Sequence, residues 1–375
     1  MEFLVPFAEY YYFVYWFVVM LMTVKQFNTI NRYPRYGVIK RSFDYPPLLM
    51  FSVFFTFIFG LRPVHGVAAY FGDTGNYAGK YELYQNFGIL HADGSADVGP
   101  DWIFDAIEKI CAEIMDVHLW FLLLMCLFII PTYKGCKQID RKHGALLMLF
   151  CIGSFIFYAS AVNGIRNGIG LSIEILAVAA LCKKKPVFAA ILCFIAVGFH
   201  KSALLPAAAM FFTYFVKNPQ YMYVIWIGSV GISLVAGEQI GNILSAISYD
   251  PRLADNLQGD NDINGLILEQ RFRWDFLLYS SMPILLAWYT IFKRKLYDNT
   301  YLIILGTYMY ANSFWVLAIR AIFSNRIANL SWFLYPILLA YPLLNFPVFK
   351  KNHNKKTAWI LLVHFGFTSL LELLE

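Results

Sequence analysis

Twelve continuous apolar runs limit this chain to a small set of folds. They lie near residues 4–24, 47–61, 117–133, 144–162, 167–182, 186–199, 202–216, 221–236, 276–292, 300–319, 327–348 and 357–374. A membrane-spanning helix needs about 20 predominantly apolar residues, and backbone groups in lipid must bond within the protein. Because the runs do not alternate with polar residues, they predict helices rather than barrel strands. We therefore predict an all-α integral membrane protein with about 12 transmembrane helices.

The composition excludes several other classes of protein. The chain is 59% hydrophobic and 14% charged, whereas soluble domains are about 45–50% apolar and about 25% charged. A soluble enzyme, a disordered protein and a nucleic-acid-binding domain are all excluded by this balance. The six cysteines form no CxxC pair and no Cys/His cluster with ligand spacing, so we expect neither a metal site nor a disulfide framework.

The basic residues fall in alternate loops and predict the orientation of the chain. One set of loops carries 20 of the 30 Lys and Arg residues, and the other set carries 10. The positive-inside rule places the richer set in the cytoplasm and both termini outside. The acidic Glu2 and Glu9 replace the basic start of a signal peptide, so the first run is expected to remain as a span.

The whole chain, residues 1–375, is predicted to be a single transmembrane domain with two long extracytoplasmic loops. The first, 62–116, contains an amphipathic segment near 101–115. Its apolar residues repeat at helical spacing, namely Trp102, Ile103, Ile107, Ile110 and Ile114, and between them lie the polar residues Asp101, Asp105, Glu108, Lys109 and Glu113. This pattern is typical of a helix that lies on the outer membrane–water interface. The second loop, 237–275, is polar and acidic and is a candidate lid.

Most basic residues of the outside set are arginines near helix ends. They include Arg62, Arg166, Arg271, Arg273, Arg320 and Arg326. The guanidinium group is the preferred fork for phosphate and carboxylate oxygens. Several arginines from different helices predict a binding site for a polyanion at the outer interface, and a lipid pyrophosphate is the obvious one in a membrane. The competing interpretation is snorkelling, or pairing with loop acids.

Three further ionisable residues are candidates for the same site. His200, in the turn of "GFHKSALL", has an imidazole suited to accept a proton from a hydroxyl, and Asp73 in "YFGDTGNY" is the other candidate base. An incidental interfacial histidine and a turn-capping aspartate are the competing interpretations. Glu174 lies inside a span, eight residues after Arg166, and is either a functional carboxylate or the tether of an arginine.

At these residues the sequence resembles the EpsG-type exopolysaccharide polymerases, which are related to the Wzy O-antigen polymerases. Five pieces carry the resemblance in the order of that family. They are "GLRP…GDTGNY" with Arg62, Asp73 and Tyr77, "NGIRNGIG" with Asn163 and Arg166, "FHKSALL" with His200, "RFRWDFLLYS" with Arg271 and Arg273, and "SNRIANLSWFL" with Arg326.

The resemblance implies a lipid-dependent, multi-spanning (GT-C-like) glycosyltransferase on the outer face of the bacterial cytoplasmic (inner) membrane. Donor and acceptor would be oligosaccharide repeat units of an exopolysaccharide, capsule or O-antigen, carried on undecaprenyl pyrophosphate. Neither a metal nor another cofactor is implied, and no nucleic acid. Membrane lipid is an expected partner, and a chain-length regulator is a further candidate.

Each candidate residue has an expected role in this reaction. Arg166, Arg271 and Arg326 would hold the pyrophosphate, with Arg62 and Arg320 in support, and preorganised charge would replace a metal ion. His200 is the first candidate for the base and Asp73 the second, while Tyr77 is one of the aromatic residues that would stack on sugars. Two alternatives remain open: a flippase for the lipid-linked unit, which would place charges or broken helices near the midplane, and an O-antigen-type ligase.

Overall fold

The structure is a computed structural model that describes residues 2–31, 45–88, 100–246, 262–263, 266–267, 272–321 and 324–374. Helices dominate these residues, and one two-residue antiparallel ladder pairs β1 (Asp262–Ile263) with β2 (Leu266–Ile267). The helices are α1 Tyr10–Asn31, α2 Tyr45–Gly60, α3 Ala68–Phe71, α4 Thr74–Phe87, α5 Trp102–Ile114, α6 Val117–Ile139, α7 Gly144–Ile152, α8 Phe155–Val162, α9 Ile165–Cys182, α10 Pro186–Phe199, α11 Leu204–Phe215, α12 Pro219–Ala246, α13 Trp274–Trp288, α14 Asn299–Leu317, α15 Ser324–Trp332, α16 Tyr335–Asn345 and α17 His353–Leu374.

Each of the twelve apolar runs coincides with one or two of these helices. Six helical segments are long and apolar enough to cross a bilayer: Tyr10–Asn31, Val117–Ile139, Ile165–Cys182, Pro219–Gly237, Trp274–Lys293 and Ser324–Asn345. A seventh candidate is the pair α7 and α8, which is bent by 73°. The protein is therefore embedded in a membrane through its helices, as the apolar runs predicted, while the count of twelve spans stays a prediction.

The chain divides into two compact units, and the first comprises Met1–Lys201 and Phe349–Glu375. Helix α9 lies at its centre and packs against both α6 and α10, while α1 packs along α17. The side chains of α9 are almost all buried. A helix that is apolar on every side and enclosed by others provides a rigid base for the residues at its ends.

The second unit comprises Ser202–Val348 and is built around α14, which packs against α11, α12 and α15. A buried polar network joins three of its helices. The Trp226 indole N–H donates to Asn312 Oδ1 at 2.8 Å, and Asn312 Nδ2 donates to Ser331 Oγ at 3.0 Å. Such interhelical bonds satisfy polar groups that the apolar surroundings would otherwise penalise. The single-domain description of the chain stays a prediction beside this division.

Helix α5 is amphipathic, and it turns its acidic face toward the protein. Asp105 and Glu108 are buried, whereas Trp102, Ile110 and Ile114 are exposed. The ammonium of Lys80 on α4 lies 3.0 Å from Asp105 Oδ1 and 3.3 Å from Glu108 Oε2. The apolar face is thus left outward, as expected of a helix at a membrane interface, although its position in the membrane stays a prediction.

Glu108 should make the stability of the fold depend on pH. Burial raises the pKa of Glu108 to about 7, although the nearby Lys80 ammonium opposes this shift, and the ordinary value is 4.5. A group whose pKa is raised on folding stabilises the fold below its ordinary pKa, and this contribution is lost as the pH rises through about 7. Glu108→Gln removes the titration and keeps the side-chain shape.

We therefore expect the melting temperature of the wild type, relative to that of Glu108→Gln, to fall between pH 5 and pH 8. Thermal unfolding in detergent measures this difference. Glu113→Gln is the matched control, because Glu113 is exposed on the same helix and this variant should follow the wild type. Parallel curves for the wild type and Glu108→Gln would contradict the prediction.

Candidate functional site

The carboxylate of Asp101 is the centre of a polar cluster in the first unit. Asp101 is the N-cap of α5 and is fully buried. Its Oδ2 lies 2.9 Å from Arg166 Nη1 and 3.4 Å from His200 Nδ1, and its Oδ1 accepts from the backbone N–H of Lys201 at 3.0 Å. Three segments distant in sequence therefore meet at one carboxylate.

The charge state of Asp101 follows from these contacts. Burial alone would favour the neutral acid. The hydrogen bond and charge of His200, the Lys201 N–H and the Arg166 guanidinium outweigh that effect and hold the pKa of Asp101 well below its usual range. Asp101 is consequently ionised at neutral pH, and a carboxylate in that state only accepts hydrogen bonds.

Arg166 lies in the first turn of α9 between Asp101 and two aromatic rings. Its Nε donates to the Tyr77 hydroxyl at 3.3 Å, and its guanidinium carbon lies 5.4 Å from the Tyr77 ring centroid and 5.9 Å from that of Phe104. Its side chain remains 29% exposed. Close packing of α9 against α8 helps to position Arg166. This packing requires Gly168, because a side chain there would collide with the Ser160 carbonyl of α8.

Asn163 fixes the turn that carries Asp73. Its Oδ1 accepts from the Asp73 backbone N–H at 3.0 Å. Gly72 is required here for two reasons: its φ is +52°, and a Cβ would collide with the Asn163 amide. Asp73 itself is exposed, and its Oδ1 accepts from Asn76 Nδ2 at 3.2 Å. The turn thus exposes the Asp73 carboxylate at the protein surface, while Asn163 holds its backbone.

Arg62 lies next to this turn, on the side of Thr74, and is fully buried. Its guanidinium donates to the carbonyl of Phe59, to Thr74 Oγ1 at 2.9 Å and to the Val162 carbonyl at 3.4 Å, and it lies 4.8 Å from the Phe121 ring centroid. These bonds join the ends of α2 and α8 to the start of α4. Arg62 therefore has its donors directed into the protein, and its expected contribution to substrate binding stays a prediction.

His200 is the C-cap of α10, and its side chain is 17% exposed. Its place beside Asp101 depends on close packing between α10 and α5. A Cβ at Gly198 would lie 2.5 Å from Ile103 Cδ1 and 3.0 Å from the Trp102 ring. A residue with a Cβ would force the Ile103 and Trp102 side chains to move, so the sequence "GFH" helps to position the histidine as well as the helix.

Glu174 lies on α9 as expected, but its described contacts include no arginine. It is fully buried, and the Cys193 thiol of α10 lies 3.5 Å from its Oε2. Its Oε1 makes no hydrogen bond with the part of the chain that the structure describes. The carboxylate that pairs with Arg166 is Asp101. The alternative interpretation of Glu174, as the tether of an arginine, is therefore not seen among these contacts.

The remaining predicted residues belong to the second compact unit. Arg273 forms an ion pair with Asp275, with Nη2 to Oδ2 at 2.6 Å, and lies 3.5 Å over the Phe276 ring. Arg320 lies against Gly237, just beyond the break in α12 at Ala236, and its buried Nε makes no hydrogen bond within the described residues. Arg326 is in the first turn of α15. Arg271 falls outside the described residues.

The structure thus brings Tyr77, Arg166 and His200 into one connected set of contacts around Asp101, while Asn163 holds the turn of Asp73. Sequence reasoning missed Asp101, which it placed on the polar face of the interfacial helix. The available signal was the spacing of Asp101, Asp105 and Glu108, which puts three acids on one helix face. Among the described residues, no group of three or more His, Cys, Asp or Glu side chains could hold a metal ion.

Comparison with known proteins agrees with the resemblance. A model of the EpsG family matches residues 47–374. No curated protein and no solved structure matches the chain. Because the family model covers most of the sequence, the chain belongs to the EpsG family.

Proposed function

We propose that the protein is an exopolysaccharide polymerase that joins oligosaccharide repeat units carried on undecaprenyl pyrophosphate. Membership of the EpsG family supports a polymerase of the glycosyltransferase type. The observation that carries the proposal is the convergence of Arg166 and His200 on Asp101. An anion-binding group and a proton acceptor beside one another are the two parts that glycosyl transfer from a pyrophosphate requires.

The reaction would take place on the outer face of the bacterial cytoplasmic membrane. Asp73, Arg166 and His200 all lie in the set of loops that is poor in basic residues. The positive-inside rule favours the extracytoplasmic side for that set. The apolar face of α5 beside the cluster is suited to contact with lipid, where the undecaprenyl chain would lie.

Arginines would neutralise the charge that develops on the pyrophosphate leaving group. Arg166 offers a partly exposed guanidinium, and Arg271 and Arg326 are the two other candidates for this role. Arg273 and Arg320 would support them, and Arg62 would support the Asp73 turn. Fixed charges in a site of low polarity stabilise such a leaving group without rearranging during the reaction.

The acceptor hydroxyl would lose its proton to His200, with Asp73 as the second candidate for the base. No described contact engages His200 Nε2, whereas Nδ1 faces Asp101. Tyr77 would stack on a sugar ring, and Asn163 would hold the Asp73 turn in place. Glu174, which lies within α9, would be one of the substrate-binding residues.

One observation favours a flippase as the second candidate. Bent or broken helices are a feature of transporters, and both the α7–α8 pair, bent by 73°, and the break in α12 at Ala236 are of this kind. The cluster around Asp101 nevertheless lies at helix ends rather than within the spans, which favours chemistry at one surface.

Loss of the protein should separate these two functions. If the protein is a polymerase, a deletion strain should accumulate single repeat units on the lipid carrier at the outer face. Lipid extraction, together with an enzyme that reaches only outward-facing glycans, measures their sidedness. Repeat units trapped on the inner face would contradict the polymerase and support the flippase.

His200→Ala should abolish long polymer. General base catalysis contributes about 10²–10⁴-fold to rate, so chain growth in proteoliposomes supplied with lipid-linked repeat units should slow by that order. His65→Ala is the matched control, because His65 is an exposed histidine of the same unit that pairs with Glu82. Unchanged polymer ladders on a gel for His200→Ala would exclude it as the base.

Arg166→Lys should slow polymerisation by about 10–100-fold, because lysine keeps the charge and loses the fork that holds phosphate oxygens. Initial rates at varied donor concentration measure the effect, and thermal unfolding checks that the fold is retained. Arg141→Lys, at an exposed position on the predicted cytoplasmic side, is the control. Undiminished activity of Arg166→Lys would argue against two-point binding of the pyrophosphate.

A further inference from the structure

The geometry around Asp101 determines which nitrogen of His200 carries the proton. Asp101 is an ionised carboxylate that can only accept, and its Oδ2 lies 3.4 Å from His200 Nδ1. The hydrogen bond therefore requires the proton on Nδ1. In the neutral ring this leaves a lone pair on Nε2, the nitrogen that no described contact engages.

We infer that Asp101 is a positioning residue that sets the tautomer of His200, an inference that rests on the proposed function. No role for Asp101 follows from the sequence motifs of the family resemblance. The same carboxylate also holds Arg166 at 2.9 Å. One buried acid thus positions both the proton acceptor and an anion-binding arginine.

The backbone makes this arrangement rigid. Oδ1 of Asp101 accepts from the N–H of Lys201, the residue that follows His200. The acid is therefore bound to the same turn that carries the imidazole, and its side chain is fully buried. Two hydrogen bonds to adjacent residues fix both the distance and the orientation of the carboxylate, as carboxylate partners do for histidines that bind metal ions.

The proton and electron pairs then have defined destinations. The acceptor hydroxyl oxygen forms a bond to the anomeric carbon of the donor, and its proton moves to His200 Nε2. The bond between the anomeric carbon and the pyrophosphate oxygen breaks, and its electron pair leaves with the undecaprenyl pyrophosphate. The imidazolium lies beside the Asp101 charge until it returns its proton to water.

The groups that face His200 and Asp101 come from three elements. Arg166 approaches Oδ2 from α9, Lys201 binds Oδ1 through its backbone, and Asp101 itself is the N-cap of α5. The ammonium of Lys80, which is on α4, pairs with Asp105 and Glu108 farther along α5. Asp101 is thus the carboxylate within ion-pair distance of His200 among the described contacts.

Asp101→Asn tests this directly, because the new amide has one oxygen for two donors, the Lys201 N–H and the Arg166 guanidinium. Where the amide oxygen accepts from Lys201, the amide NH₂ faces His200 Nδ1, two donors meet, and the His200 proton should move to Nε2. The corresponding substitution of aspartate by asparagine in the serine protease triad acts in this way. Asp101→Ala, which leaves no acceptor at this position, is the companion variant.

We expect Asp101→Asn to lower kcat for polymerisation by about 10²–10⁴-fold. Asp105→Asn is the matched control, because Asp105 lies on the same helix face and pairs with Lys80. Its kcat should remain within about threefold of the wild type, which corresponds to a change in activation free energy of under 1 kcal/mol. Equal losses for the two variants would overturn the inference.

Two further measurements separate positioning from a merely structural role. Solid-state ¹⁵N NMR of histidine-labelled protein in lipid, with the His200 signals assigned by their loss in His200→Ala, reports the tautomer directly. The proton should lie on Nδ1 in the wild type, and the preference for Nδ1 should be lost in Asp101→Asn and in Asp101→Ala. A retained preference for Nδ1 in both variants would overturn the inference.

The double variant Asp101→Asn/His200→Ala should be slower than His200→Ala alone by much less than the loss in Asp101→Asn, because the part of that loss which acts through His200 is already gone and only the part through Arg166 remains. A further fall of the same size as that of Asp101→Asn alone would overturn the inference. If the wild type makes no polymer from lipid-linked units, the proposed function fails. The NMR result then still decides whether Asp101 sets the tautomer.

Discussion

Burial of carboxylates on one face of the amphipathic helix α5 is the constraint on which the site depends. A buried acid needs a cation or a hydrogen-bond donor for its oxygens, since an uncompensated buried charge is very costly. Asp101 obtains these partners from α9 and from the turn after α10, and the acids farther along α5 obtain theirs from Lys80. These pairings fix where α5 lies relative to α4, α9 and α10, with its apolar face outward.

Close helix contacts complete what the charges begin. Gly198 lets α5 reach α10 beside His200, and Gly168 lets α9 approach α8 beside Arg166. In lipid the apolar effect gives helices little reason to associate, so small residues that permit close packing take on that role. The catalytic side chains proposed here are therefore placed by residues that have no side chain of their own.

Much of this arrangement can be read from the sequence, and the part that cannot has a physical reason. The apolar runs predict the helices, and the short motifs predict that Arg166, Asn163 and His200 matter. Asp101 was missed because three acids on one face of an amphipathic helix usually mark its solvated side. Here the opposite face is the outward one, and only the tertiary partners distinguish the two cases.

Arg62 and Glu174 illustrate the opposite limit. Their charge and their place at or within a span predict a role in the site, but the direction of a side chain depends on which neighbours accept it. Arg62 turns inward to two carbonyls and Thr74, and Glu174 faces the Cys193 thiol. Sequence locates a scarce charge along the chain, whereas the hydrogen-bond partners decide whether it faces a substrate or the core.

Sharing of one carboxylate has a consequence for the proposed mechanism. Arg166 and His200 both face Asp101 Oδ2, so a pyrophosphate that binds Arg166 offers its guanidinium a second acceptor and weakens the competition for that oxygen. Donor binding would thereby change the partners of the oxygen that faces His200. The proposed pyrophosphate-binding arginine and the proposed base therefore share a single buried atom, and a substitution at Asp101 must affect both.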